Sequence, residues 1–101
     1  MSADPASKAP AVARRCLVSG RVQGVYYRAS AQQRARAAGI AGHAVNLEDG
    51  RVEVLACGEE QRVSEFIEWL WVGPSAAKVT QVIVETIDIH PAHLPPDFRT
   101  A

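Results

Sequence analysis

Residues 59–74 read E-E-Q-R-V-S-E-F-I-E-W-L-W-V-G-P. Val63, Phe66, Ile67, Leu70 and Trp71 recur at the spacing of one broad apolar helix face. Glu59 and Glu60 put negative charge in the first turn, where the helix dipole favours it. Gly73-Pro74 stops the helix. A helix with one apolar face must bury it against another element, and the flanking sequence supplies strands. Upstream, residues 42–47 (G-H-A-V-N-L) and 51–57 (R-V-E-V-L-A-C) flank Asp49-Gly50, a hairpin turn signal. Val52 and Val54 alternate with Glu53, so one face is buried and the other wet. Downstream, residues 79–87 form a last strand with Val82 and Val84 on one face.

The first half of the chain repeats this order. Residues 12–19 (V-A-R-R-C-L-V-S) read as a strand, and Gly20 to Val25 (G-R-V-Q-G-V) as a loop with two glycines. Tyr26 to Ala38 is rich in Ala, Arg and Gln, strong helix formers. Its stripe of Tyr27, Ala31, Ala35 and Ala38 is mostly small, which suits close packing, and Gly39 ends it. Strand, helix, strand, strand, helix, strand is the split βαβ, or ferredoxin-like, α+β order: a mostly antiparallel sheet with two helices on one face. The first and third strands are expected at its centre, with the second beside the third. Residues 1–11 are expected to be a disordered leader, 12–90 the domain, and 91–101 a Pro-rich tail draped over the surface, with Leu94 or Phe98 as anchors. Trp71 is expected on the apolar stripe of the second helix, leaving Trp69 partly exposed.

Bulk properties narrow the function. Eleven basic and eleven acidic residues leave no net charge, which argues against gripping nucleic acid. No apolar run approaches the length of a membrane helix, and the first residues lack a secretory h-region. The chain is therefore expected in the cytoplasm, as a monomer. Cys16 and Cys57 lie in apolar runs and read as buried free thiols.

The loop from Gly20 to Val25 joins a strand to a helix start. Its glycines let backbone N–H groups approach an anion, and the helix N-terminus adds further N–H groups and a positive dipole end. Arg28 falls in the first helical turn, where its guanidinium fits two phosphate oxygens. A plain βα turn followed by a solvated arginine accounts for the same residues. Asn46, near the end of the second strand, has the donor and acceptor to hold a water, and equally the chemistry of a turn cap. No Gly-Lys-Ser/Thr follows the second glycine, and the loop and first helix hold no carboxylate for magnesium. His90 and His93 have no Cys, Asp or Glu pattern around them that would complete a metal site.

Gly20 to Arg28 (G-R-V-Q-G-V-Y-Y-R) closely resembles the first signature of the acylphosphatase family, and Gly42 to Val52 (G-H-A-V-N-L-E-D-G-R-V) resembles its second. The resemblance spans about residues 14–88 with motif order and spacing intact. It implies hydrolysis of the carboxyl–phosphate bond of a small acyl phosphate, with no metal, cofactor or phosphoenzyme. Arg28 would bind the substrate phosphate, backbone amides of Gly20, Arg21, Val22, Gln23, Gly24 and Val25 would cradle it, and Asn46 would orient the attacking water. His43, Ala44, Val45 and Tyr27 depart from the family pattern, the first three on the strand that carries Asn46.

Two other readings share the fold order. One is a nonenzymatic phosphate-binding or regulatory module, which has no need of a water-positioning Asn46. The other is an RNA-binding domain, which needs aromatic side chains on its central strands; residues 12–19 and 51–57 have none.

Overall fold

The computed structural model describes residues 11–101; of the expected leader, residues 1–10 lie outside the described residues. Strand β1 (Ala11–Arg21) leads to helix α1 (Tyr27–Ala37), followed by strands β2 (Ala41–Asn46) and β3 (Val52–Glu59). Helix α2 (Glu60–Leu70) and strand β4 (Lys78–Ile87) complete the expected six elements. The sheet order is β4-β1-β3-β2-β5, so the first and third strands lie inside and the second beside the third. β1 pairs antiparallel with both neighbours: Cys16 stands between Val54 and Val84, and Val18 between Val52 and Val82.

The chain's last described segment departs from the expected surface tail. After a 3-10 turn at Pro91–His93, strand β5 (Phe98–Thr100) pairs parallel with β2, Gly42 opposite Phe98 and Ala44 opposite Thr100. Phe98 is fully buried and meets Phe66 edge-on at 5.9 Å between ring centroids. Of the two proposed anchors it is the one that holds, since Leu94 stays exposed. α1 fastens this strand along one face. Arg28, Gln32 and Arg36 sit one turn apart, on one side of the helix. Arg28 donates to the Ala101 main-chain oxygen, Gln32 to the Phe98 carbonyl at 3.1 Å, and Arg36 to both Asp97 carboxylate oxygens at 3.1 and 2.8 Å.

The core lies between the sheet and the helices. Cys16, Val18, Val52, Val54 and Ala44 point into it from the strands, and Val63, Phe66 and Leu70 from α2. α1 contributes Ala31 and Ala35, both fully buried; their small size lets the helix lie close. α1 packs on β2 and β5, α2 on β1 and β3. β4 therefore sits at an edge that neither helix covers well. Val84 is exposed although it shares a strand face with buried Val82.

The expectation for Trp71 fails, since it does not join the buried stripe, whereas Trp69 is partly exposed as expected. Trp69 is half-buried, its ring stacked between Tyr27 at 5.9 Å and Phe66 at 6.2 Å, with Arg34 over its face. Trp71 is exposed. The apolar stripe predicts a helix facing a flat sheet, but α2 also has α1 alongside, and Trp69, one turn on from Phe66, turns toward it. Trp71 falls after the last helical residue, where the N–H groups of Val72 and Gly73 already bond back to the Trp69 carbonyl.

Tyr27 is fully buried, and its hydroxyl donates to the Leu70 carbonyl at 2.6 Å. That carbonyl is at the C-terminus of α2, where the helix offers no partner. Tyr27→Phe leaves it buried and unpaired, and is expected to lower unfolding free energy by about 1–3 kcal/mol in a urea titration.

The Asp97 contact is expected to make the hold of α1 on β5 depend on pH. Hydrogen bonds from Arg36 and the Phe98 N–H hold the Asp97 carboxyl below its usual range. A carboxyl whose folded pKa is depressed stabilises the fold above its unfolded pKa, about 3.9, and that contribution is lost as pH falls through the lower folded value. The protection factor of the Phe98 amide, its observed exchange compared with the intrinsic rate at the same pH, is expected to fall on acidification through this range, and Asp97→Ala to lower it at neutral pH.

Candidate active site

The site starts where β1 outruns its regular pairing. The register with β4 shifts between Ser19 and Gly20, after which Gly20 stands opposite Val79 and Arg21 opposite Lys78. Gly20 has φ 121°, and a Cβ there would sit 2.1 Å from the Lys78 carbonyl oxygen, so only glycine fits. The chain then leaves the sheet. Val22 and Val25 are buried and pin the loop to the core, while Gly24 between them, at φ 76°, is exposed. The Gln23 side chain turns sideways and donates to the carbonyl oxygens of Leu47 and Arg51 at 2.9 and 3.0 Å.

Helix α1 begins under unusual conditions. Its N-cap is Tyr26, at φ 62° the one non-glycine residue with positive φ among the described residues. Tyr26 provides no side-chain cap, and the first turn carries no acidic residue. The positive end of this helix is therefore uncompensated by the chain.

Above that helix end lies a cavity of about 390 Å³, lined by Val22, Gly24, Tyr26, Tyr27, Arg28, Ala29 and Asn46. Arg28 enters it from the first turn of α1, half-buried. Its bond to Ala101 uses one of the five N–H groups of the guanidinium. Asn46 reaches the same cavity from the last position of β2, opposite Val52. A larger cavity, about 470 Å³, opens between α1 and α2 beside Arg34, Arg62 and Trp69, but it holds none of the sequence-predicted residues.

Strand alternation separates most of the sequence departures from this site. His43 and Val45 point to the sheet face opposite Asn46. The His43 Nε2 lies 2.9 Å from Glu53, whose carboxylate is also 3.9 Å from Arg15. Ala44 is on the Asn46 face but fully buried in the core.

The lining residues include no carboxylate, imidazole or thiol. Tyr27 is the remaining ionisable group besides Tyr26 and Arg28; its hydroxyl is committed to Leu70, and burial pushes its pKa upward. Both cysteines are free and buried, as their apolar runs suggest. Burial pushes the Cys16 thiol up to about 12, so it is neutral at physiological pH. The His90 and His93 rings stand 5.6 Å apart. No group of three or more His, Cys, Asp and Glu able to hold a metal ion occurs among the described residues. No helix among them is long and apolar enough to cross a membrane.

Comparison with known proteins bears on this geometry directly. A sequence profile of the acylphosphatase family matches residues 14–100. The chain belongs to the acylphosphatase family. It is 54% identical to an acylphosphatase of Halorhodospira halophila over 74 residues, 73% of this chain and 80% of the relative. With the Chromohalobacter salexigens acylphosphatase it shares 51% identity over 80 residues, 76% and 89% of the two chains. The solved structure of an acylphosphatase from Coxiella burnetii superposes with a TM-score of 0.85 at 35% identity, covering 98% of this chain and all of the other.

Of the residues singled out in the sequence, the fold brings Arg28, Asn46, Val22 and Gly24 to one cavity. Gly20 and Arg21 pair with β4, the Val25 side chain packs in the core, and the Gln23 side chain bonds the β2–β3 turn, while the loop that carries their backbone amides runs beside the cavity. Sequence reasoning did not place Tyr26 or Ala29 at the site; their position in the first turn of α1 was the available signal.

Tyr26 is 83% exposed on a backbone that disfavours a side chain. Left-handed geometry costs a non-glycine residue roughly 1–2 kcal/mol. Tyr26→Gly is therefore expected to leave thermal stability unchanged or to raise it, by up to about 1 kcal/mol after the entropy of glycine is counted. A clear loss in a melting experiment would mean that the tyrosine ring holds the loop.

Proposed function

We propose that this chain hydrolyses acyl phosphates to a carboxylate and inorganic phosphate, with the phosphate held by Arg28 and backbone amides and the water held by Asn46. One observation carries the reading. Arg28 and Asn46, from different elements, open onto one cavity at an uncompensated helix N-terminus. A doubly charged phosphoryl group suits that end, where amides and a guanidinium supply positive potential with no carboxylate among the lining residues.

The reaction asks little else of the protein. The leaving group is a carboxylate, stable without protonation. The water oxygen attacks phosphorus in line as the bond from phosphorus to the acyl oxygen breaks. Arg28 and the amides stabilise charge on the phosphoryl oxygens, and the Asn46 side chain fixes the water by accepting from it. With no carboxylate or imidazole lining the cavity, the water's proton passes to a phosphoryl oxygen of the substrate. Arg28 keeps its bond to Ala101 while its other N–H groups face the phosphate. The reading also takes the chain to work as a monomer in the cytoplasm; two free buried thiols suit a reducing compartment.

Hydrolysis of benzoyl phosphate in the presence of EDTA tests the assignment. Wild type is expected to turn over, and Arg28→Ala and Asn46→Ala each to lose about a hundredfold or more in kcat/KM while remaining folded. Inorganic phosphate is expected to inhibit wild type competitively and Arg28→Ala only weakly. Phosphate binding by a folded wild type without turnover would assign the chain as a phosphate-binding module instead.

A further inference from the structure

Gln23 sits inside the loop, but its side chain does not face the cavity. Its amide nitrogen lies 2.9 Å from the Leu47 carbonyl oxygen and 3.0 Å from that of Arg51. The two acceptors fix the orientation of the amide, because its oxygen turned toward them would meet two lone-pair-bearing oxygens. These carbonyls close the β2–β3 turn: Arg51 accepts from the Leu47 N–H at 2.8 Å, and Leu47 from the Gly50 N–H at 3.2 Å. The turn is also braced internally. Asp49 accepts from the Arg51 backbone N–H at 3.1 Å and from its guanidinium at 2.9 Å.

The turn is therefore a stiff unit at the open end of a hairpin, and Asn46 is the residue just before it. Asn46 is exposed, so little packing fixes its side chain. The position of its amide follows from the backbone at residues 46 and 47. Gln23 bonds that backbone to the loop whose Val22 and Gly24 line the cavity.

We propose that Gln23 is a positioning residue: its amide locks the β2–β3 turn onto the phosphate loop and sets the distance from Asn46 to the bound phosphoryl group. The proposal rests on the reading of Asn46 as the water-holding residue. In-line attack tolerates little error along that line, and a misplacement of about 1 Å can cost about a hundredfold in rate. Phosphate binding depends on Arg28 and on backbone N–H groups, which a change of the Gln23 side chain leaves in place.

The test is a double-mutant cycle on benzoyl phosphate with Gln23→Met, Asn46→Ala and the pair, together with inhibition by inorganic phosphate. Gln23→Met keeps the length and removes both donors. The expected result is a kcat lower by about ten- to a hundredfold, an inhibition constant for phosphate within about twofold of wild type, and no further loss of kcat when Gln23→Met is added to Asn46→Ala. Should Gln23→Met fail to fold, Gln23→Asn, one methylene short of both carbonyls, takes its place in the cycle. If Asn46→Ala is slow but the two losses multiply in full, Gln23 acts independently of Asn46 and the proposal falls while the proposed function stands. If Asn46→Ala keeps the wild-type kcat, the role given to Asn46 fails and takes this proposal with it. A parallel weakening of phosphate inhibition and kcat in Gln23→Met would make the residue a brace for the loop alone, and overturns the proposal too.

Discussion

The backbone of β1 at Gly20 passes so close to β4 that a single methyl group would strike the Lys78 carbonyl. That close approach is the constraint on which the site depends. It shifts the strand register by one step, carries pairing on through Arg21, and releases the chain at Val22 in the direction of the cavity. Val22 and Val25 then anchor in the core on either side of exposed Gly24, so the loop is held at both ends and open in the middle. The left-handed turn at Tyr26 completes the redirection and starts α1 with its positive end bare. A small fold has few ways to collect positive potential without a surplus of basic residues. Here an uncapped helix N-terminus and one arginine stand at the same cavity.

The division between the two sheet faces serves the same end. On the helix-covered face of β2, buried Gly42 and Ala44 precede Asn46; on the other face, His43 and Val45 are free to differ. His43 joins Glu53 and Arg15 in a row of charged and polar groups, none of which lines the cavity. The strand thus carries a site residue on one face and ordinary surface chemistry on the other, a consequence of the two-residue period alone.

Much of this was legible in the residues. The stripe of Val63, Phe66 and Leu70, the Asp49-Gly50 turn and the small-residue face of α1 are local patterns, and the six-element order follows from them. The two loop-and-strand signatures led to Arg28 and Asn46 because motif spacing survives without knowledge of packing. What escaped was set by partners distant in sequence. β5 is three residues long and lies behind a run of prolines, so no periodicity announces it; it exists because β2 offers an open edge and Phe66 a slot for Phe98. The exposure of Trp71 arises from the end of the helix at Leu70, and the stacking of Trp69 on Tyr27 from the neighbouring helix, which a single helical wheel cannot show. Gln23 read as one more loop amide, since the acceptors of its side chain lie across the fold on the β2–β3 turn.

The ladder of Arg28, Gln32 and Arg36 against β5 has a consequence for the order in which the molecule is made. Segment 97–101 emerges from the ribosome after every other described element. A nascent chain that has not yet delivered it already holds the loop, α1, the hairpin with Asn46, and α2. It lacks the ring that fills the space beside Phe66 and the main-chain oxygen to which the Arg28 guanidinium is tethered. Biosynthesis therefore separates the presence of the cavity's residues from their final mounting, and Arg28 is fixed in place only after the other described elements have been made.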